Sequence, residues 1–235
     1  MLQSIIEWAN ANSGFVTLLV FVVSLVLGWA SGIFQALRNR PRFEIEKLEG
    51  PNFYSVHDTG REYNGYSAHR TAIALYLSVT NVGSAPSAIK SVSVAFRCDF
   101  RAFSWKWFQH TLLWHWLEHP TVALEDFRTE IGDKAKVYPF LLQGTSSTLS
   151  TADTYLRVGK SVNGVVYFEQ GEAWGKFRPR DQNGEAKMKV RIEDAFGGTH
   201  TKVLKVPKVA LSEAQKWSSD FGRTLETLSQ DGDST

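Results

Sequence analysis

Between Glu7 and Arg38 the chain runs thirty residues without a charged side chain, and this run constrains the fold more than any other feature. Its apolar heart, Phe15 to Leu37, is 23 residues long, and fourteen of them are Phe, Val, Leu or Ile. As a helix rising ~1.5 Å per residue it is roughly 34 Å long, against about 30 Å of bilayer hydrocarbon. Each large apolar side chain gains on the order of 0.3–0.6 kcal/mol near mid-membrane. No ionisable group opposes that sum. The spacing predicts a transmembrane helix over about 15–37, within an N-terminal segment 1–37.

A cleaved signal peptide would need a basic start, a shorter apolar core and small residues at the cut. Ala30-Ser31-Gly32 could serve as the cut, but the first 14 residues hold no Lys or Arg. A permanent anchor is therefore the first reading, export the second, and a buried core helix the third. Arg38, Arg40 and Arg42 follow the run as a basic juxtamembrane linker, 38–42. Such residues stay on the cytoplasmic side. The expectation is a single-pass protein of the inner (cytoplasmic) membrane, with the N-terminus outside and everything after the span cytosolic. The lone Cys98 cannot form an internal bridge and agrees with a reducing compartment. Ser24, Gly28, Gly32 and Ala36 recur every four residues. This small-residue ridge lets two helices approach closely, and it predicts homo-oligomers through the span.

Beyond Pro41 the pattern changes to period two. Ile73, Leu75, Leu77 and Val79 alternate with Ala74, Tyr76 and Ser78; Val92, Val94, Phe96 and Cys98 alternate with Ser93, Ala95 and Arg97. Met188, Val190 and Ile192 alternate with Lys187, Lys189, Arg191 and Glu193. One apolar face per segment means strands lying on a core. Eight strands are expected, near 43–48, 53–57, 71–80, 88–98, 136–142, 161–170, 187–194 and 200–206. Gly and Pro loops such as Asn81 to Pro86 separate them, without βαβ alternation, which implies an antiparallel sandwich over 43–209. A short C-terminal helix within 210–235 is expected from Ser212 and Gln215 as a capping box, with Gly222 ending it.

Three stretches carry a resemblance. LYLSVTNVGSAPSAIKSVSV resembles the hairpin of bacterial immunoglobulin-like sandwich domains, TYLRVGKSVNGVVYFE is similar to their later strand segment, and RIEDAFGGTHTKVLKV to their closing hairpin. The resemblance implies a membrane-anchored immunoglobulin-like sandwich protein and carries over no catalytic residue.

An insertion over about 101–136 departs from that pattern, and long loops are often functional. It contains SWKWFQHTLLWHWLEHP. Read as a helix, it is apolar almost all round and must be buried or touch lipid or a partner. Trp105, Trp107, Phe108, Trp114 and Trp116 are the candidate contact residues, and Trp favours the headgroup region of a membrane. The same stretch holds His115-x-x-Glu118-His119. On a helix these two histidines could ligate zinc with the glutamate activating water, and Glu193 or Asp194 could complete the set. Pro120 argues against it by ending the helix directly after His119.

No P-loop, dinucleotide fingerprint, C-x-x-C or nucleophile elbow occurs. Glu169 and Glu172 read as solvated turn charges, Arg178 and Arg180 as surface charge, and His57, His69 and His200 as isolated. A net charge of +2 is too weak for nucleic acid. The expectation is a non-enzymatic binding or scaffolding module without a cofactor, its partners being membrane lipid and an unidentified protein. The alternatives are a zinc-dependent hydrolase and an exported envelope sandwich protein.

Overall fold

The computed structural model describes residues 2–31, 39–98, 100, 105, 114–132, 134–142 and 153–226. Two compact units divide the chain, 1–40 and 41–235.

In the first unit, α1 (Leu2–Ala11) and α2 (Ser13–Ala30) are separated at Asn12. Helical bonding carries through the joint, since Asn12 N–H donates to Trp8 O and Val16 N–H to Asn12 O, both at 3.0 Å. α1 was not foreseen. α2 begins two residues earlier than the expected span, and residues 32–37, its expected end, lie outside the described residues. Its eighteen residues have a mean hydropathy of 2.2, and none is buried by protein. The helix is long and apolar enough to cross a membrane.

Thirteen strands follow among the described residues: β1 (Phe43–Lys47), β2 (Phe53–Tyr63), β3 (Tyr66–Asn81), β4 (Ser87–Phe96), β5 (His115–Leu117), β6 (Phe127–Ile131), β7 (Lys134–Tyr138), β8 (Tyr155–Leu156), β9 (Ser161–Glu169), β10 (Ala173–Trp174), β11 (Asp181–Gln182), β12 (Glu185–Asp194) and β13 (Thr199–Pro207). A four-residue helix, α3 (Leu211–Ala214), follows them. β3 is the spine of the first sheet. β1 and β2 share one of its edges, β9 and β10 the other, all antiparallel. The second sheet runs β13, β12, β4, with β5 and β8 sharing the far edge of β4. β13 borders only β12 in that sheet, and Lys202 and Lys205 stand exposed along it.

The two sheets share one hydrophobic cluster. Phe43, Ile45, Ile73, Leu75, Leu77, Val79, Val166 and Phe168 from the first meet Val92, Val94, Phe96, Met188, Val190, Ile192 and Val206 from the second. The period-two reading of these strands therefore holds. Each such side chain, fully buried, contributes roughly 1.5–3 kcal/mol. The opposite face of β3 is buried as well, which alternation alone did not show. Ala72 and Ala74 belong to a second cluster with Phe53, Phe127, Tyr138, Phe140, Val165, Tyr167, Ala214 and Phe221. The β6–β7 hairpin and the α3 segment supply that cover. Gly164 of β9 is essential to it: a Cβ there would run into the backbone of Leu141, whose N–H donates to Val165 O at 2.9 Å.

The capped C-terminal helix needs correction. In the insertion Trp105 is helical, 101–104 and 106–113 lie outside the described residues, and the part after Trp114 forms strands β5 and β6 rather than a helix. α3 starts from Ala210 without a side-chain cap, so the box of Ser212 and Gln215 does not form. Residues 210–226 are no appendage, because Ala214, Trp217 and Phe221 complete the second cluster. The helix ends at Ala214, well before Gly222, which takes φ +78° in a later turn.

Candidate functional site

The outer face of the second sheet is built by strand alternation. On β12, Met188, Val190 and Ile192 point into the core, which turns Lys187, Lys189 and Arg191 outward. Val203 faces Lys189 and Thr201 faces Arg191 from β13; Ala95 and Ser93 face them from β4. Trp116 of β5 stands opposite Ala95. Small side chains at 93 and 95 leave a shallow floor on which aromatic rings can lie. The Arg191 guanidinium stacks 4.1 Å from the Trp116 ring centre. Arg97 lies 4.9 Å and Lys189 5.9 Å from the Trp114 ring. Each stacking of this kind is worth about 0.5–1 kcal/mol when exposed, and it fixes the orientation of a charge that would otherwise swing freely. The result is a half-buried pair of tryptophans braced among cations. It can hold anionic or aromatic groups.

Of the expected aromatic contact residues, the structure brings Trp114 and Trp116 together on this face. Trp105 is 82% exposed, while Trp107 and Phe108 lie outside the described residues.

The His115, Glu118, His119 reading fares differently. Residues 115–117 are a strand, so the helical spacing that would align both histidines is absent. His115 packs on Phe96 at 5.2 Å and its Nε2 accepts from the Gln170 amide at 3.4 Å. Glu118 instead pairs with Arg191 at 3.4 Å. Neither suggested third ligand joins them: Glu193 binds Lys90 at 2.7 Å, and Asp194 binds His200 at 2.9 Å. Among the described residues no group of three His, Cys, Asp or Glu is placed to hold a metal.

Asp194 and His200 correct the reading of His200 as isolated. Phe43 N–H donates to His200 Nδ1 at 3.2 Å, leaving the ring proton on Nε2 for Asp194. Burial alone would raise the Asp194 carboxyl; the His200 ring and the Gly198 and Phe196 amides outweigh it and hold it below the usual range.

Glu169 is a second correction, because it is buried at 8% exposure rather than solvated. Its Oε2 accepts from the Tyr167 hydroxyl and from Leu225 N–H, both at 3.2 Å, while Oε1 has no hydrogen-bond partner among the described residues. Burial pushes this carboxyl up, against Leu225, Tyr167 and Arg70. Arg70 lies 3.8 Å from both Glu172 and Glu226. His57 faces Arg70 across β2 and β3, and burial, then Arg70, lower its pKa. This polar seam ties the C-terminal segment to β9. Beside it an open hollow of about 390 Å³ is lined by His57, Asp58, Tyr66, His69 and Arg178 among others.

Ser24 and Gly28 lie on α2, where the Ser24 hydroxyl donates back to Val20 O at 2.7 Å. Gly32, Ala36 and Arg38 lie outside the described residues. Arg40 and Arg42 are exposed; the Arg42 backbone already belongs to the domain, accepting from Val82 N–H at 2.8 Å. Compared with known proteins, the chain matches no family model and no curated sequence.

Proposed function

We propose that this chain is a non-enzymatic single-pass membrane protein whose cytosolic domain, an immunoglobulin-like sandwich, acts as a binding or scaffolding module. The apolar, uncovered α2 supports anchoring, and Arg38, Arg40 and Arg42 support the orientation with the N-terminus outside. The strand order supports the sandwich class. β1 and β2, then β3, then β9 correspond to the A-B-E sheet of immunoglobulin-like folds, and β8, β4, β12, β13 to C′-C-F-G. The ridge of Ser24, Gly28, Gly32 and Ala36 supports self-association through the span.

The observation that carries the binding reading is the outer face of the second sheet, where Trp114 and Trp116 are braced by Arg97, Lys189 and Arg191. A zinc hydrolase on His115, Glu118 and His119 has lost its helical support.

Orientation is tested with an exposed cysteine, Thr201→Cys, in a Cys98→Ser background. The native Cys98 cannot report it, since burial pushes its thiol up to about 12. An impermeant maleimide should label position 201 only after the cells are opened; labelling of intact cells would establish the exported alternative instead. Contact is tested with a photo-crosslinking side chain at Val203, 47% exposed on the same face. Adducts should form in cells and vanish with Trp116→Ala plus Arg191→Glu, while membrane retention is unchanged. Absence of any adduct from Val203 would remove the binding role.

A further inference from the structure

We propose that the outer face of the second sheet docks on an anionic bilayer surface, taking lipid headgroup phosphates as its ligands; this rests on the anchored-module reading above. Charge complementarity is the first argument. Arg97, Lys187, Lys189, Arg191 and Lys205 share the face. Among the described residues Glu118, Glu193 and Glu185 accompany them; Glu118 is engaged by Arg191 and Glu193 by Lys90, while Glu185 stands exposed beside Lys187 on β12, so the cations still outnumber the carboxylates. Each cation brought to an anionic leaflet strengthens binding roughly fivefold.

Chemistry separates a membrane from other acidic surfaces. Trp114 and Trp116 lie among the cations, and Val203 stands exposed beside Lys189. Indole rings favour the headgroup layer, where one edge is apolar and the other wet. Cations alone would suit any polyanion equally; the aromatic and aliphatic groups between them suit an interface with both properties.

The tether supplies the third argument. By the sequence reading the linker between the span and β1 is 38–42, five residues with a reach of at most about 18 Å. On the anchored reading so short a tether gives the face a high effective concentration at its own bilayer, and weak individual contacts suffice.

The full chain, reconstituted in nanodiscs of phosphatidylcholine alone or mixed with phosphatidylglycerol, tests this. A dye is placed at Thr201→Cys on the face, or at exposed Ser212→Cys on α3 behind the other sheet, both with Cys98→Ser. Headgroup spin-labelled lipid is the quencher. The expected result is quenching at 201 several-fold stronger than at 212 in anionic discs. It should weaken in neutral discs and disappear near ~1 M salt, where the screening length falls to about 3 Å. Lys187→Glu, Lys189→Glu and Lys205→Glu together should abolish it. If that variant fails to melt cooperatively, the comparison of anionic with neutral discs on the otherwise native face decides. Equal quenching at 201 and 212, or equal quenching in both lipids, overturns the proposal. So does a dye at 201 that responds to soluble polyglutamate but not to anionic lipid, which would mark an acidic protein as the partner. Failure of the chain to co-elute with discs sinks the anchored reading itself; co-elution without quenching sinks the docking alone.

Discussion

Two buried acids show opposite uses of a carboxylate. Asp194 accepts from two backbone amides and His200, so its charge is satisfied and its pKa is held down. Its stabilisation is present above the ordinary aspartate value of about 3.9 and is lost as pH falls through the lower folded value. Asp194→Asn should cost about 1–3 kcal/mol at neutral pH and flatten the acid limb of a denaturation profile. Glu169 is the reverse case. Burial raises its folded pKa, so between about 4.3 and that raised value the folded state binds more protons than the unfolded one, and stability falls as pH rises through this window. Glu169→Gln keeps an acceptor for Tyr167 and Leu225 without the charge. Thermal melts should show a higher midpoint for it at pH 7.5, with the slope across the window gone. A lower midpoint at every pH would mean that the fold uses the anion.

At the scale of elements, the tightest constraint is the passage of Leu141 against Gly164. Gly164→Ala must displace the 139–141 segment, which pairs with β9 through Pro139 O and Leu141 N–H. Overpacking of this kind costs typically about 1–3 kcal/mol, and urea denaturation should register it as a lowered midpoint with unchanged slope. What was legible in the sequence follows from the same physics. Strands with one apolar face, such as Met188 to Ile192, announced themselves by alternation. The β2–β3 hairpin was under-read, although Tyr63-Asn64-Gly65-Tyr66 holds a strong two-residue turn signal. Asn64 and Gly65 take φ of +49° and +74° there. The second cluster was hidden because small Ala72 and Ala74 look like a solvent face; only tertiary packing shows that aromatic rings cover them. In the candidate site, the outward Lys187, Lys189 and Arg191 were visible from the same alternation, but their meeting with Trp114 and Trp116 was not. The run of tryptophans suggested one helix, whereas pairing with β4 makes His115 to Leu117 a strand.

For the whole molecule, the boundary near Pro41 has a direct consequence. Arg42 is pinned to the loop after β3 by Val82 N–H and by Asn81, so the domain's own hydrogen bonds begin there. A chain starting at Pro41 should fold without detergent, and its circular dichroism should show one cooperative melt; a broad, uncooperative transition would make the N-terminal helices part of the fold. The lysines along β13 matter in a different way. A population confined to a plane collides side by side far more often than one dispersed in three dimensions. An unpaired strand rim would then invite runaway stacking of neighbours into fibres. Mutual repulsion among Lys202 and Lys205 of adjacent copies blunts that rim, and on the proposed anchored reading it would let the protein crowd laterally without polymerising through its sheets.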